Sequence, residues 1–111
     1  MQLSYRIVDV FTDRPLAGNA LCVVTAPEGP PLSDDVMLCL AREVNLSETT
    51  FVRRTGDDAY DVRIWTGGGE LPFAGHPSLG TAWSLGPGRW TQTSPGAVVT
   101  VEASLQGAVM T

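Results

Sequence analysis

The fold of this chain is decided by one stretch of its sequence, Glu70-Leu71-Pro72-Phe73-Ala74-Gly75-His76-Pro77-Ser78-Leu79-Gly80-Thr81-Ala82-Trp83-Ser84-Leu85. Pro77 suits the first position of a helix, where the missing N–H group is not needed. Beyond it the residues are apolar or small on every side until Gly86-Pro87-Gly88 ends the pattern. A helix that is apolar all round is buried inside its domain. We therefore expect a buried helix from Pro77, preceded by an irregular segment that starts at Gly67.

The sequence on both sides of this helix is typical of β-strands. Alternation or short apolar runs predict strands over 3–11, 20–24, 49–53, 60–66, 97–101 and 108–110. A second helix is expected from Ser33, a suitable N-cap, to about Val44, with its apolar residues at helical spacing. Turns or loops are expected at Asp13-Arg14-Pro15, Gly18-Asn19 and 26–31. The pattern indicates an α+β protein with about six strands, one outer helix and one buried helix.

Composition excludes several classes of function. The chain has 111 residues, the length of one domain covering residues 1–111, and a net charge of −5. All seven basic residues are arginine, which excludes a Schiff-base lysine and a phosphate loop that ends in Lys-Ser/Thr. There is no basic run for nucleic acid, and one histidine with two cysteines makes no zinc set. We expect no metal, no cofactor and no nucleic-acid partner.

The location of the protein is also an expectation from the sequence. The N-terminus lacks the basic-then-apolar pattern of a signal peptide, and no apolar run reaches membrane-spanning length. We therefore expect a cytoplasmic protein with no membrane partner. Cys22 and Cys39 are expected to be reduced thiols in the core.

Two positions are candidates for chemistry. Backbone N–H groups around Gly75 and His76, with His76 at the N-cap, would leave a helix N-terminus open to a carboxylate or other anion. Glu48 lies between a helix end and an apolar strand, where a carboxylate can serve as general base or acid. Each residue also has a plainer interpretation: His76 as a helix cap, and Glu48 as a surface glutamate bonded to Ser47 or Thr49. Spacing alone favours the plainer interpretations.

Other reactive or aromatic side chains have less to support a functional role. Cys22 and Cys39 could be the two thiols of a proton-swapping epimerase, but a core strand and the middle of a helix favour burial as small hydrophobic residues. Trp65, Trp83 and Trp90 are expected in the core. The pair at 53–54 is expected to be a solvated strand end rather than an anion site.

Three segments together resemble a known family. They are Asp9-Val10-Phe11-Thr12 with Leu16-Ala17-Gly18-Asn19-Ala20, then Asn45-Leu46-Ser47-Glu48-Thr49-Thr50-Phe51, then 70–82 as quoted above. In order and spacing they resemble the PhzF-like isomerase/epimerase family of phenazine biosynthesis. The resemblance implies a fold like that of diaminopimelate epimerase. Each domain of that fold wraps a curved antiparallel sheet around one central helix, and two domains face each other across the active site.

The resemblance also implies roles for individual residues. The acid/base glutamate of the family falls on Glu48. The Gly-His-Pro segment falls on Gly75, His76 and Pro77, where amides and imidazole hold the substrate, and Ser78 belongs to the same substrate-binding turn. His76 is also implied to act in catalysis by orienting the substrate or stabilising charge. Asn19 matches a Gly-Asn turn that lines the cleft. The family uses no metal and no organic cofactor.

The chain departs from the family in supplying only the first of two domains. The second domain's catalytic aspartate has no counterpart in this sequence. We therefore expect a half-size isomerase subunit, acting in biosynthesis on a small carboxylate-bearing metabolite, whose active site is completed by a second chain. That chain would be a separate second-half subunit (a heterodimer) or a second copy of this one (a homodimer). Two alternatives are a catalytically inactive binding or scaffold subunit, and a truncated fragment of a longer enzyme.

Overall fold

The computed structural model describes residues 3–10, 19–25, 32–105 and 107–111. The turn expected at 13–15, Gly18 and the loop expected at 26–31 lie outside the described residues. Within the described ranges the chain forms two helices, α1 (Asp34–Val44) and α2 (Gly75–Leu85), and eight strands. The strands are β1 (Ser4–Val10), β2 (Asn19–Thr25), β3 (Glu48–Gly56), β4 (Ala59–Thr66), β5 (Gly69–Leu71), β6 (Gly88–Ser94), β7 (Ala97–Ser104) and β8 (Gly107–Met110).

All the described strands belong to one sheet, in the order β1-β2-β3-β4-β6-β7-β8, with β5 also paired to β4. Five of the seven pairings are antiparallel, and β2/β3 and β4/β6 are parallel. The strands β5 and β6 pair with opposite ends of β4: β5 with 64–66 and β6 with 59–61. Because α2 connects them, the helix begins at one end of β4 and the chain returns to the sheet at the other.

The sheet curls around α2. This helix contacts β1, β2 and β3 at one side of the sheet and β7 and β8 at the other. The main apolar cluster fills the space between, and Leu21, Val62, Ile64, Ala82 and Val101 are its most deeply buried members together with Tyr60. The helix α1 packs on β3 and β4 over a second cluster that contains Cys22, Met37, Phe51 and Trp65. The predicted α+β class, a curved sheet around a central helix with one outer helix, is confirmed.

The helix α1 forms for the reasons that the sequence indicated. The Ser33 hydroxyl accepts the Val36 N–H at 3.2 Å, and two aspartates lie in the first turn, where the helix dipole favours negative charge. Met37 and Ala41 are buried against the sheet. The helix ends at Asn45, which adopts the left-handed conformation with φ of 55° and donates its N–H to the Ala41 carbonyl.

The start of α2 differs from the prediction. The helix begins at Gly75 with Ala74 as N-cap, so His76 is the second helical residue rather than the cap, and Pro77 is the third. Proline is tolerated at the third position as well as the first, because no N–H of the first turn has an intrahelical acceptor. The prediction placed the boundary two residues too late.

Two strands were not predicted. The segment from Gly67 was expected to be irregular, but Gly69–Leu71 pairs with the end of β4. A strand of three residues is too short to show a period. In β6 the buried positions are Trp90, Gln92 and Ser94, alternating with exposed ones. Two of these three are polar, so the alternation of burial is not an alternation of hydrophobicity.

The predictions for the cysteine and tryptophan side chains have mixed outcomes. Cys22 is buried as expected, but Cys39 is exposed, because it lies on the side of α1 that faces away from the sheet. Trp65 and Trp90 are in the core, whereas Trp83 is 45% exposed.

Neither helix in the described part of the chain is long and apolar enough to cross a membrane.

Candidate active site

Glu48 is the first residue of β3 and is partly buried. Side chains alternate between the faces of a strand, so Glu48 shares its face with Thr50 and Val52. That face is directed at α2, because the Thr50 hydroxyl lies 2.8 Å from the Thr81 hydroxyl of this helix in a fully buried hydrogen bond. The Glu48 carboxylate therefore lies on the concave side of the sheet, at the end where β3 begins.

The first turn of α2 presents backbone N–H groups. Ala74 has no side chain that could cap the helix, and the first intrahelical bond is the one from the Ser78 N–H to the Ala74 carbonyl at 3.2 Å. Pro77 has no N–H, and the N–H groups of Gly75 and His76 lie at the positive end of the helix dipole. No acidic residue lies in this turn to neutralise that end. The turn has the chemistry that binds anions, and the His76 side chain is exposed beside it.

Ser78 holds this turn from inside. Its side chain is fully buried, and its hydroxyl donates to the Ala74 carbonyl at 2.7 Å while accepting from the Gln92 amide at 2.8 Å. Both its N–H and its O–H are thus used within the protein. Ser78 therefore contributes to any substrate binding by shaping the turn, and not by a direct hydrogen bond to the substrate.

Asn19 begins β2, paired with Val10 of β1. The strand β2 runs parallel to β3, with Leu21 opposite Glu48, so the backbone of Asn19 lies at the same end of the sheet as Glu48. The Asn19 side chain lies outside the described residues. Pro77, the remaining predicted binding residue, is buried in the first turn of α2.

A buried polar pair beneath α2 was missed by the sequence analysis. Gln92 is fully buried, and its carbonyl oxygen accepts a hydrogen bond from the Tyr60 hydroxyl at 2.9 Å. Burial raises the pKa of Tyr60, so its phenol remains a protonated donor. The signal was hidden because Gln92 lies in the polar run 91–94, which resembles an exposed segment.

The thiol alternative is not supported by the geometry. Cys22 belongs to the apolar cluster under α1, on the face of the sheet opposite to α2, and burial raises the pKa of its thiol. A thiol with a raised pKa is a poor proton acceptor near neutral pH. Among the described residues, no group of three or more His, Cys, Asp or Glu side chains could hold a metal ion.

Comparison with known proteins gives relatives that are consistently longer than this chain. A trans-2,3-dihydro-3-hydroxyanthranilate isomerase of Pseudomonas aeruginosa is 48% identical over 83 residues, which are 74% of this chain and 29% of that protein. An uncharacterized isomerase of Pasteurella multocida is 43% identical over 84 residues, which are 74% of this chain and 28% of that protein. The chain thus spans less than a third of the length of these curated relatives.

Solved structures share the fold described above. A PhzF family protein of Enterococcus faecalis superposes with a TM-score of 0.85 at 30% identity, covering 97% of this chain and 43% of that one. A predicted epimerase of Pseudomonas aeruginosa superposes with a TM-score of 0.76 at 36% identity, covering 94% of this chain and 40% of that one. The family described as phenazine biosynthesis-like protein matches residues 8–107. The chain belongs to this family, the PhzF-like isomerases.

Proposed function

We propose that this chain carries one half of the active site of a PhzF-like isomerase, in which a second chain supplies the other half. The reaction is the transfer of a proton at a carbon next to a carboxylate or carbonyl. The observation that carries the proposal is the presence of the Glu48 carboxylate on the face of β3 that is directed at α2. The N–H groups of the first turn of α2 supply the complementary anion site.

Each group has a defined part in the proposed reaction. The Gly75 N–H at the start of α2 binds the carboxylate of the substrate, which fixes the neighbouring carbon. The Glu48 carboxylate accepts the proton from that carbon and returns it to the same or another carbon, so the substrate is isomerised with no net change in composition. The His76 imidazole orients the substrate or stabilises the charge that develops. A positioned acid/base group contributes roughly 10²- to 10⁴-fold in rate, and electrostatic stabilisation by the helix amides adds to it.

The substrate class follows from the anion site and from the named relative. That relative is an isomerase of trans-2,3-dihydro-3-hydroxyanthranilate, a compound with one carboxylate. A carboxylate is one of the anions that a helix N-terminus accepts. We therefore propose a small carboxylate-bearing metabolite as substrate, with trans-2,3-dihydro-3-hydroxyanthranilate as the first compound to test.

The second chain is proposed because this chain matches so small a part of its relatives. The matched residues are 29% of the curated isomerase and 43% of the solved Enterococcus chain. We propose that the chain is equivalent to the first domain of a two-domain enzyme. A second-half subunit or a second copy of this chain would then close the concave face over Glu48 and the first turn of α2.

The experiment measures deuterium incorporation from D₂O into trans-2,3-dihydro-3-hydroxyanthranilate by the assembled protein. We expect Glu48→Gln to lower incorporation by roughly 100-fold or more, since the amide cannot accept the proton. Glu43→Gln is the matched control, because Glu43 is an exposed glutamate on α1. It should retain the wild-type rate. Undiminished exchange by the Glu48→Gln protein would contradict the proposed role.

A further inference from the structure

The first turn of α2 has little local stabilisation of its own. Ala74 offers no capping side chain, and Gly75 follows it at the first helical position. His76 precedes a proline, which disfavours the helical conformation of the preceding residue. Glycine accepts backbone conformations of either sign, so the peptide unit between Ala74 and Gly75 can rotate at little cost. The backbone bond from the Ser78 N–H to the Ala74 carbonyl holds this peptide, and a contact from outside the turn would add to its orientation.

A chain of three hydrogen bonds, two of them buried and the last part-buried, reaches this peptide from the sheet. The Tyr60 hydroxyl of β4 donates to the Gln92 carbonyl oxygen of β6 at 2.9 Å. The Gln92 amide nitrogen donates to the Ser78 hydroxyl at 2.8 Å, and that hydroxyl donates to the Ala74 carbonyl at 2.7 Å. The three side chains are at most 1% exposed. Every donor in the chain points toward Ala74, an arrangement in which each bond strengthens the next.

The direction of this chain determines where the Gly75 N–H points. The Ala74 carbonyl and the Gly75 N–H belong to one planar trans peptide and point in opposite directions. The Ala74 carbonyl accepts hydrogen bonds from the Ser78 hydroxyl and the Ser78 N–H, so it points along the helix. The Gly75 N–H therefore points away from the helix at its N-terminal end. If the Gln92 amide were reversed, its oxygen would face Ser78 and compete for the hydroxyl proton that now goes to Ala74. The hydrogen bond from the Tyr60 hydroxyl to the Gln92 carbonyl oxygen favours the orientation seen here.

We propose that Gln92 and Tyr60 are positioning residues, which act through Ser78 to fix the Gly75 N–H toward the substrate anion. The inference rests on the proposed function, because it assigns the orientation of a group that the proposed reaction uses. Neither residue touches the substrate. Their effect is to keep the amide oriented before the anion arrives, so no free energy is spent on ordering the turn at binding.

The experiment uses the ¹⁵N-labelled chain and the residual dipolar coupling of the Gly75 amide, which reports the direction of its N–H bond. In the wild type we expect this coupling to fit the helical orientation. In Gln92→Met, which keeps the volume but removes the amide, it should depart from that fit while the couplings of the middle of α2 do not. Tyr60→Phe is a milder second variant that removes one hydroxyl and should shift the Gly75 coupling in the same sense.

Thr81→Val is the matched control. It removes the buried hydrogen bond between the Thr81 and Thr50 side chains, which also links α2 to the sheet, at a position six residues along the helix from Gly75. This variant should lose comparable stability in urea while keeping the Gly75 coupling. Equal changes in the control and in Gln92→Met, or no change in Gln92→Met and Tyr60→Phe, would overturn the inference.

A titration with benzoate separates this inference from the proposed function. Benzoate is a simple carboxylate probe, and benzamide is its uncharged counterpart. We expect benzoate, but not benzamide, to shift the Gly75 amide signal of the wild type. In Gln92→Met the affinity for benzoate should be about tenfold weaker, as for loss of one hydrogen bond to a charged group. A different result is that the Gly75 amide signal fails to shift on addition of benzoate while the Gly75 coupling still depends on Gln92. That result would contradict the anion site and support the positioning role.

Discussion

At the scale of single residues, α2 is unusual in burying hydroxyl groups rather than large apolar side chains. Ser78, Thr81 and Ser84 are all buried. Each hydroxyl has a partner: Gln92 and Ala74 for Ser78, Thr50 for Thr81, and the Thr81 carbonyl for Ser84. A buried polar group without a partner costs about 1–3 kcal/mol, whereas a typical internal hydrogen bond contributes about 0.5–1.5 kcal/mol to stability. These small, paired side chains allow the helix to lie close to the sheet that surrounds it.

The glycine at the start of α2 is not required by the fold. A Cβ built on Gly75 would meet only the flexible end of Met110, at the ordinary contact distance of 3.6 Å, and Gly75 does not have a positive φ. We expect Gly75→Ala to change the free energy of unfolding by less than about 1 kcal/mol, because alanine is the better helix former. The added methyl group should still weaken benzoate binding, since it stands beside the N–H that binds the anion.

Chemical denaturation and the benzoate titration check both parts of this prediction. Gly56→Ala is the control, because its Cβ would lie 4.0 Å from the Ala59 methyl group and far along β3 from Glu48. Full benzoate affinity in Gly75→Ala would argue against close approach of an anion at this turn.

At the scale of secondary-structure elements, two links hold β5 and the residue that follows it in place. The Arg63 guanidinium of β4 binds Glu70 of β5 through two nitrogens and also Asp34 of α1 at 3.0 Å. The hydrogen bond to Glu70 is the main reason that the pKa of Arg63 is raised, so its charge is permanent. The Gly96 N–H in the β6–β7 turn donates to the Pro72 carbonyl at 2.9 Å. Together they tie β5 to β4 and Pro72 to the β6–β7 turn, at the start of the segment that leads into α2.

The contact between the β6–β7 turn and Pro72 leaves no room for a side chain. A Cβ on Gly96 would lie 2.9 Å from the Pro72 Cβ and 3.0 Å from its carbonyl oxygen, and these are not flexible atoms. We expect Gly96→Ala to lower the free energy of unfolding by about 1–3 kcal/mol, as overpacking does. Gly56→Ala, where the same methyl group meets only an ordinary contact, should change it by less than about 1 kcal/mol. Urea denaturation measures the free energy of unfolding of both variants. Equal stability of the two would show that Pro72 moves to accommodate the methyl group at little cost.

Elements with a strong local pattern were predictable, and those without one were not. The helix α1 has an N-cap, acidic residues in its first turn and apolar residues at helical spacing, so its bounds were predicted to within a residue. The strand β6 buries Gln92, and its burial depends on Tyr60 and Ser78, which are distant in sequence. No local pattern can show that a glutamine will find such partners.

At the scale of the whole molecule, the proposed function requires a second chain, and the native mass tests it directly. We expect the purified chain of 11.8 kDa to occur as a dimer, or as a complex with a second-half subunit when the two are expressed together. Deuterium exchange should accompany the assembled form only. A monomer that exchanges deuterium on its own would contradict the need for a second chain. A chain that stays monomeric, alone and when expressed with a second-half subunit, would contradict the proposed assembly.

The sequence by itself determined the α+β class, the central and outer helices, most of the strands and the family, because these depend on local periodicity, capping residues and motifs that lie close along the chain. It also indicated Glu48 and the turn from Gly75 as the places for chemistry. Only the tertiary structure decided that α2 begins at Gly75, that Glu48 is on the face directed at α2, and that Gln92 supports the helix start. The physical reason is that these features depend on hydrogen bonds between residues far apart in sequence, whose partners come together only when the sheet closes around α2.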